Sequence, residues 1–292
     1  MKVAGFTFIR NAVKNDYPIV EAITSILPLC DEFIVAHGNS EDTTLELLQS
    51  IDSPKIKIIE TVWDDSLREG GQVFALETDK AYAAISDDVD WAFYIQGDEC
   101  VHEQYLDTIK KEMEECLKDP QIEGLLFKYR HFYGSYDYYA VSRRWYRREI
   151  RVLKHLPGVH SYKDAQGFRI NDRKINAKLI DVYIHHYGWV KPPKGLNSKI
   201  RNFYKHYQSD EWIEKEMPES DEFDYGNADR LMHFTGSHPA VFQPRVARSN
   251  WKFSFDPVDL QKKTSFRRKV LQWVEDVIGY RPFEYKNYTR VK

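Results

Sequence analysis

The sequence predicts an α/β chain: a mostly parallel sheet flanked by helices, with a mainly helical extension behind it. Two observations predict this. Short runs rich in β-formers alternate with segments of helical spacing as far as Tyr133. The pair Pro192-Pro193 then interrupts the pattern, so 1–191 reads as the sheet domain and 192–292 as the extension. Val3 to Ile9 is the first strand. Behind Pro18, the residues Ile19, Val20, Ile23, Ile26 and Leu27 share one side of a helix. Glu32 to Ala36 is a strand, ended by His37-Gly38-Asn39-Ser40. A helix starting between Ser40 and Thr44 carries Leu45, Leu47, Leu48 and Ile51. Ile56 to Trp63 is a strand, Gly71 to Ile85 a helix, and Trp91 to Ile95 a short apolar strand that stops at Gln96-Gly97-Asp98-Glu99. Tyr105, Leu106, Ile109, Met113, Cys116 and Leu117 recur at helical spacing, and Gly124 to Tyr133 is again a strand. In sheets of this kind ligands bind beyond the carboxyl ends of the strands, which puts His37 to Asp42 and Gln96 to Glu99 at one mouth.

Composition narrows the function. The chain has 292 residues, with 42 basic against 45 acidic, a net charge of −3; a nucleic-acid binder would carry a basic excess. Hydrophobic residues make up 42%, enough for a core, and no run approaches the roughly 18 apolar residues of a membrane span. Cys30, Cys100 and Cys116 lie far apart, which argues against a disulfide framework or a thiolate zinc site. The N-terminus enters strand-like sequence without a secretory pattern, so a cytoplasmic protein is expected. Aromatic residues are abundant at 14%, and many fall in Tyr129 to Tyr146 and Tyr183 to Trp189.

Two turns can carry chemistry. The first is Gln96-Gly97-Asp98-Glu99, where an apolar strand ends in a carboxylate pair. Hard cations such as Mg²⁺ or Mn²⁺ take one or two carboxylates plus phosphate oxygens; the alternative is a helix cap near Val101. The second is His37-Gly38-Asn39-Ser40-Glu41-Asp42-Thr43-Thr44, whose short polar residues also suit a helix cap.

Taken in order with Phe6-Thr7-Phe8-Ile9-Arg10-Asn11, these turns resemble the family 2 glycosyltransferases of GT-A (Rossmann-like) fold, bacterial type, over the N-terminal half. The resemblance implies a donor site for a nucleotide-diphospho-sugar (a UDP- or GDP-sugar) at Asn11, His37, Asn39, Asp42, Gln96 and Asp98, with Arg68 and Gln72 as looser nucleotide contacts. It implies a divalent metal held by Asp98 and by His186 of the segment Ile184-His185-His186-Tyr187-Gly188-Trp189. Adjacent residues on an extended segment face opposite sides, so His185 points elsewhere. It implies Asp164 as the base that deprotonates the acceptor, with Glu99 and, more weakly, His160 as alternatives. The acceptor would be a saccharide or lipid-linked saccharide. His37 and Gln96 depart from the family, which usually has Asp at both. Two other readings stay open: a nucleotidyltransferase, disfavoured because Phe8 to Asn15 lacks glycine, and a non-catalytic sugar-nucleotide or glycan binder.

Three charged stretches remain. Arg143-Arg144-Trp145-Tyr146-Arg147-Arg148 could clamp an anion or be solvated surface. Asp210 to Asp229 is acidic and reads as a solvated loop or helix face. Lys262 to Tyr280 mixes basic and apolar residues. It reads either as an amphipathic helix packed on its own domain or as a contact with the inner face of a membrane.

Overall fold

The structure is a computed structural model that describes residues 1–217, 230–253 and 265–291. In chain order the strands and helices are β1 (Val3–Ile9), α1 (Ile19–Ile26), β2 (Glu32–His37), α2 (Thr44–Gln49), β3 (Ile56–Glu60), α3 (Gln72–Ala83), β4 (Trp91–Tyr94), β5 (Glu99–Val101), α4 (Leu106–Cys116) and β6 (Gly124–Tyr133). They continue with β7 (Tyr138–Ala140), β8 (Arg148–Lys154), β9 (Val159–Tyr162), β10 (Gly167–Ile170), β11 (Arg173–Lys174) and β12 (Asn176–Trp189). The C-terminal part gives α5 (Pro193–Tyr204), α6 (Asp210–Glu216), β13 (Leu231–His233), α7 (Gln243–Ala247), α8 (Phe266–Ile278) and β14 (Thr289–Val291).

The chain is α/β, with helices on both faces of one large sheet of order β13-β7-β6-β8-β4-β1-β2-β3. The N-terminal half of that order, β4-β1-β2-β3, is parallel throughout. Antiparallel β8 joins this half to β6, whose other edge pairs in parallel with β12. The period-two alternation of the strands splits the core in two. Val3, Trp91 and Phe93 face α1, α2 and α4; Ala4, Phe6, Ala92 and Tyr94 face α3 and the small antiparallel sheet β9–β11.

Two elements differ from expectation. Glu99 starts no helix turn: Glu99–Val101 is a strand paired with β12, because its backbone finds partners at Ile184 to His186. The stretch after Pro192-Pro193 does more than extend the fold. It gives β13 and β14 to the main sheet, and the prolines open α5, where a missing N–H costs nothing.

One buried ion pair ties the two halves of the sheet. Glu99 and Arg151 are both 0% exposed, with Arg151 Nη2 and Nε each 2.8 Å from a Glu99 oxygen. The Tyr129 hydroxyl and the Gln96 backbone N–H donate to the same carboxylate at 2.7 and 3.1 Å. The guanidinium also donates to the carbonyls of Ile150 and Gln166 and lies over the rings of Tyr94 and Tyr129. Removing one partner of such a pair strands a charge in the interior. Arg151→Met should therefore lower stability by about 3–5 kcal/mol in chemical denaturation, and adding Glu99→Leu should recover most of the loss.

Candidate active site

A cavity of about 570 Å³ opens at the carboxyl ends of β1, β4 and β12. Its walls come from the Gln96–Asp98 turn, the end of β12, the turn that holds Asp164, and α5. That volume suits a ligand of nucleotide-sugar size.

Asp98 and His186 face each other here, with His186 Nε2 3.7 Å from Asp98 Oδ1. The register explains why. His186 pairs with Glu99 on one side and His131 on the other, so all three share a face of the sheet. His185 takes the opposite face, fully buried against Arg130 and the Tyr187 hydroxyl.

A hydrogen-bond chain sets the tautomer of His186. His131 Nε2 lies 2.7 Å from the Tyr146 carbonyl and must donate to it. Its Nδ1 is then the acceptor for His186 Nδ1, 3.3 Å away. Burial pushes both imidazoles below their ordinary range, so both are neutral near pH 7. His186 thus aims the lone pair of Nε2 at Asp98. Burial would raise the Asp98 carboxyl, but the positive charge around it, Lys199 foremost, outweighs burial and holds it at about 2. A lone pair and a carboxylate facing each other without a proton between them form a place for a cation, and the donor types suit a divalent metal. Among the described residues no group of three His, Cys, Asp or Glu assembles, so such an ion would draw its remaining ligands from substrate or water. Gly188 makes the pair possible: a Cβ there would lie 2.5 Å from Asp98 Oδ2 and 2.9 Å from His186 Cε1.

Lys199 of α5 reaches the same spot. Its ammonium donates to the Gly188 carbonyl at 2.9 Å and to Asp98 Oδ2 at 3.2 Å, and lies 4.5 Å from the Tyr17 ring centroid. The sequence reading missed Lys199, as well as Phe203 and Tyr207, which also line the cavity. Their signal was the spacing Leu196, Ile200, Phe203 behind a helix-starting proline; Leu196 and Ile200 pack inward and place Lys199 beside them.

Asp164 stands in the four-residue turn between β9 and β10, flanked by Lys163 and Ala165 in the left-handed region (φ 59° and 60°). Its Oδ2 accepts from the Tyr207 hydroxyl at 3.2 Å. Gln96 Nε2 donates to the Ala165 carbonyl at 3.2 Å, so Gln96 joins the Asp98 turn to the Asp164 turn.

Other expected residues stand elsewhere. Glu99 is sealed behind the turn by Arg151 and Tyr129 and does not line the cavity; an acid committed to four donors is no base. His160 pairs with Asp172 on the small sheet, away from the cavity wall. Asn11 does line the cavity, in the left-handed conformation that Asn tolerates (φ 54°), and its Oδ1 accepts from the Glu41 N–H. Glu41 lines the cavity in place of His37, Asn39 and Asp42, whose side chains shape the loop behind it. His37 meets Ser40 Oγ, Asn39 accepts from the Trp63 N–H, and Asp42 from the Lys14 and Thr44 N–H groups. Arg68 lines the cavity and pairs with Asp210, whereas Gln72 is exposed on the first turn of α3, outside the wall. Arg143 and Arg147 clamp no ligand: they are taken by Glu275 and Glu284. Of the aromatic-rich segments, Trp145, Tyr146 and Trp189 reach the cavity, while Phe132 and Tyr187 stack in the core.

No family model and no curated protein matches the sequence. Among solved structures, S. aureus TarS aligns over 69% of this chain at 13% identity and a TM-score of 0.40. The 4-diphosphocytidyl-2C-methyl-D-erythritol synthase of Anaerococcus prevotii covers 65% of this chain and 91% of its own, at 11% identity and 0.38. Mycobacterium tuberculosis glucosyl-3-phosphoglycerate synthase, crystallised with Mn²⁺, UDP and phosphoglyceric acid, covers 44% at 20% identity and 0.30. The alignments span 39% of the length of TarS and 43% of the mycobacterial synthase.

The buried Glu149 carboxyl supports the site from behind by accepting from Gln166 Nε2 at 2.9 Å, and Gln166 lines the cavity. Burial, against the pull of Arg151, pushes Glu149 up to about 8. Between its ordinary range near 4.5 and about 8 the folded chain keeps a proton that the unfolded chain has lost, so stability falls as pH rises through that window. Glu149→Gln should flatten the decline in Tm between about pH 5 and 8; parallel wild-type and variant curves would show that Glu149 does not titrate there.

Proposed function

We propose that the chain is an inverting glycosyltransferase of the family 2 type on a GT-A fold. It transfers a sugar from a UDP- or GDP-sugar to the hydroxyl of a saccharide or lipid-linked saccharide. One observation carries the reading: the facing acceptors of Asp98 and His186 share a cavity with the carboxylate of Asp164, and Gln96 couples the two turns. The ordered motifs at Asn11, at His37 to Thr44 and at Gln96 to Glu99 fit the same family pattern, and β1, β2 and β4 pair in parallel so that their carboxyl ends point one way.

Asp98 and His186 would hold a divalent cation, which when bound supplies positive charge to a leaving diphosphate. The chain's own residues do the rest. Lys199 adds a fixed ammonium beside Asp98, where negative charge grows as the glycosidic bond breaks. Arg10 and Arg68 line the donor side, and Trp63 lies across the cavity wall under Arg10. Asp164 takes the proton of the acceptor hydroxyl as its oxygen attacks the anomeric carbon and the nucleoside diphosphate departs. Tyr207 orients that carboxylate. Trp145 and Trp189 offer ring faces for sugar C–H surfaces.

Thermal shift with UDP-, GDP- and dTDP-sugars, with and without Mn²⁺, should show stabilisation by one nucleotide only when metal is present. Asp98→Ala should abolish that shift; an unchanged shift removes Asp98 from the donor site. Asp164→Asn should leave donor affinity within about twofold and lower kcat by about 10²–10⁴. Loss of donor binding in that variant would make Asp164 a structural residue instead.

A further inference from the structure

The C-terminal helix α8 leaves an apolar stripe open to solvent. An amphipathic helix on a globular domain normally turns its apolar stripe to the core. Here Phe266, Val270, Trp273 and Val277, spaced four, three and four apart, form a stripe open to solvent; Phe266 is 82% exposed, Trp273 65% and Val277 63%. The side against the body carries half-buried Leu271 and Val274 together with a set of charge pairs. Glu275 receives Arg143, Arg147 and Arg281, and Asp276 receives Arg230. The apolar surface continues from Ile278, at the end of the helix, through Tyr280, Phe283 and Tyr285, each more than half exposed.

We infer that α8 and the segment to Tyr285 dock on an anionic membrane surface. The charge around the stripe selects this occupant. Arg267 and Lys269 are exposed at the start of the helix, and Lys163 and Lys174 bracket the Tyr285 ring at 5.4 and 5.5 Å. Glu275 and Glu284 are turned inward, largely buried in pairs with arginines, and the exposed Asp276 is paired with Arg230. An apolar stripe with aromatic members and a basic border is the composition of a helix that lies in the headgroup layer. Trp and Tyr suit that layer because each has an apolar body and a polar tip. A second copy of the chain would place these basic borders against each other. The docking surface is fastened to the site: Arg281 Nη1 donates to the Trp145 carbonyl at 2.8 Å, and Trp145 lines the cavity. Docking stands without the transfer reaction, and its test uses no donor.

The test is flotation of the full chain with phosphatidylcholine vesicles, with and without roughly one third phosphatidylglycerol. The chain should float with the anionic vesicles and stay behind with the neutral ones. Binding should weaken in high salt, since the basic border is screened. Phe266→Ser with Trp273→Ser should cut the bound fraction by about tenfold or more. Both side chains are exposed, so Tm should not change. Absence of flotation, equal flotation with both vesicle types, or a dimer in light scattering that the double substitution returns to monomer would each overturn the inference.

Discussion

The buried pair of Glu99 and Arg151 is the constraint on which the site depends. Its four hydrogen bonds to the Glu99 carboxylate come from a side chain on β8, a side chain on β6 and the backbone of the Asp98 turn. The same guanidinium holds the Gln166 carbonyl, at the end of the turn that carries Asp164. One charge pair therefore fixes the distance between the carboxylates of Asp98 and Asp164, both of which line the cavity. Desolvating both ions is costly, and apolar residues would fill the space with less penalty. What the pair supplies is direction: each hydrogen bond points to a different segment, and apolar packing could not impose that geometry.

Much of the first half was legible in the sequence because its signals are local. The apolar, β-forming runs Val3–Ile9 and Trp91–Tyr94, the helical spacing in Leu106–Cys116 and the strand Gly124–Tyr133 need only short-range reading, and the observed elements fall within a few residues of the expected bounds. The opposite facing of His185 and His186 followed from strand periodicity alone. What was not legible depends on partners distant in sequence. Glu99 and Asp98 are neighbours in a carboxylate pair, yet one is sealed in the core and the other faces the cavity. Arg151, which decides this, lies more than fifty residues further on, and nothing local marks it as buried.

The loop from His37 to Thr44 shows a second limit. Short polar residues at a strand end can touch a ligand or hold a loop, and both uses draw on the same residue types. Here His37, Asn39 and Asp42 spend their side chains on Ser40, Trp63, Lys14 and Thr44. The loop thereby presents Glu41 and the Trp63 ring to the cavity. The turn motif sits where a strand end meets a helix, as read, while the cavity wall falls to its neighbours.

The C-terminal part inverts the usual relation between pattern and burial. Hydrophobic spacing in Phe266 to Ile278 is that of a core helix, and composition alone favours packing against the domain. The acids Glu275 and Glu284 decide otherwise, because Arg143, Arg147 and Arg281 draw that face inward and the stripe is left outside. Arginines that looked like an anion clamp beside the site are thus the anchors of a helix. The stretch that read either as an anion clamp or as solvated surface determines which face of α8 meets solvent, and through the Trp145 carbonyl it keeps that helix in register with the cavity wall. Site and surface are two ends of one set of charge pairs, so a change in the Arg143–Arg147 segment acts on both.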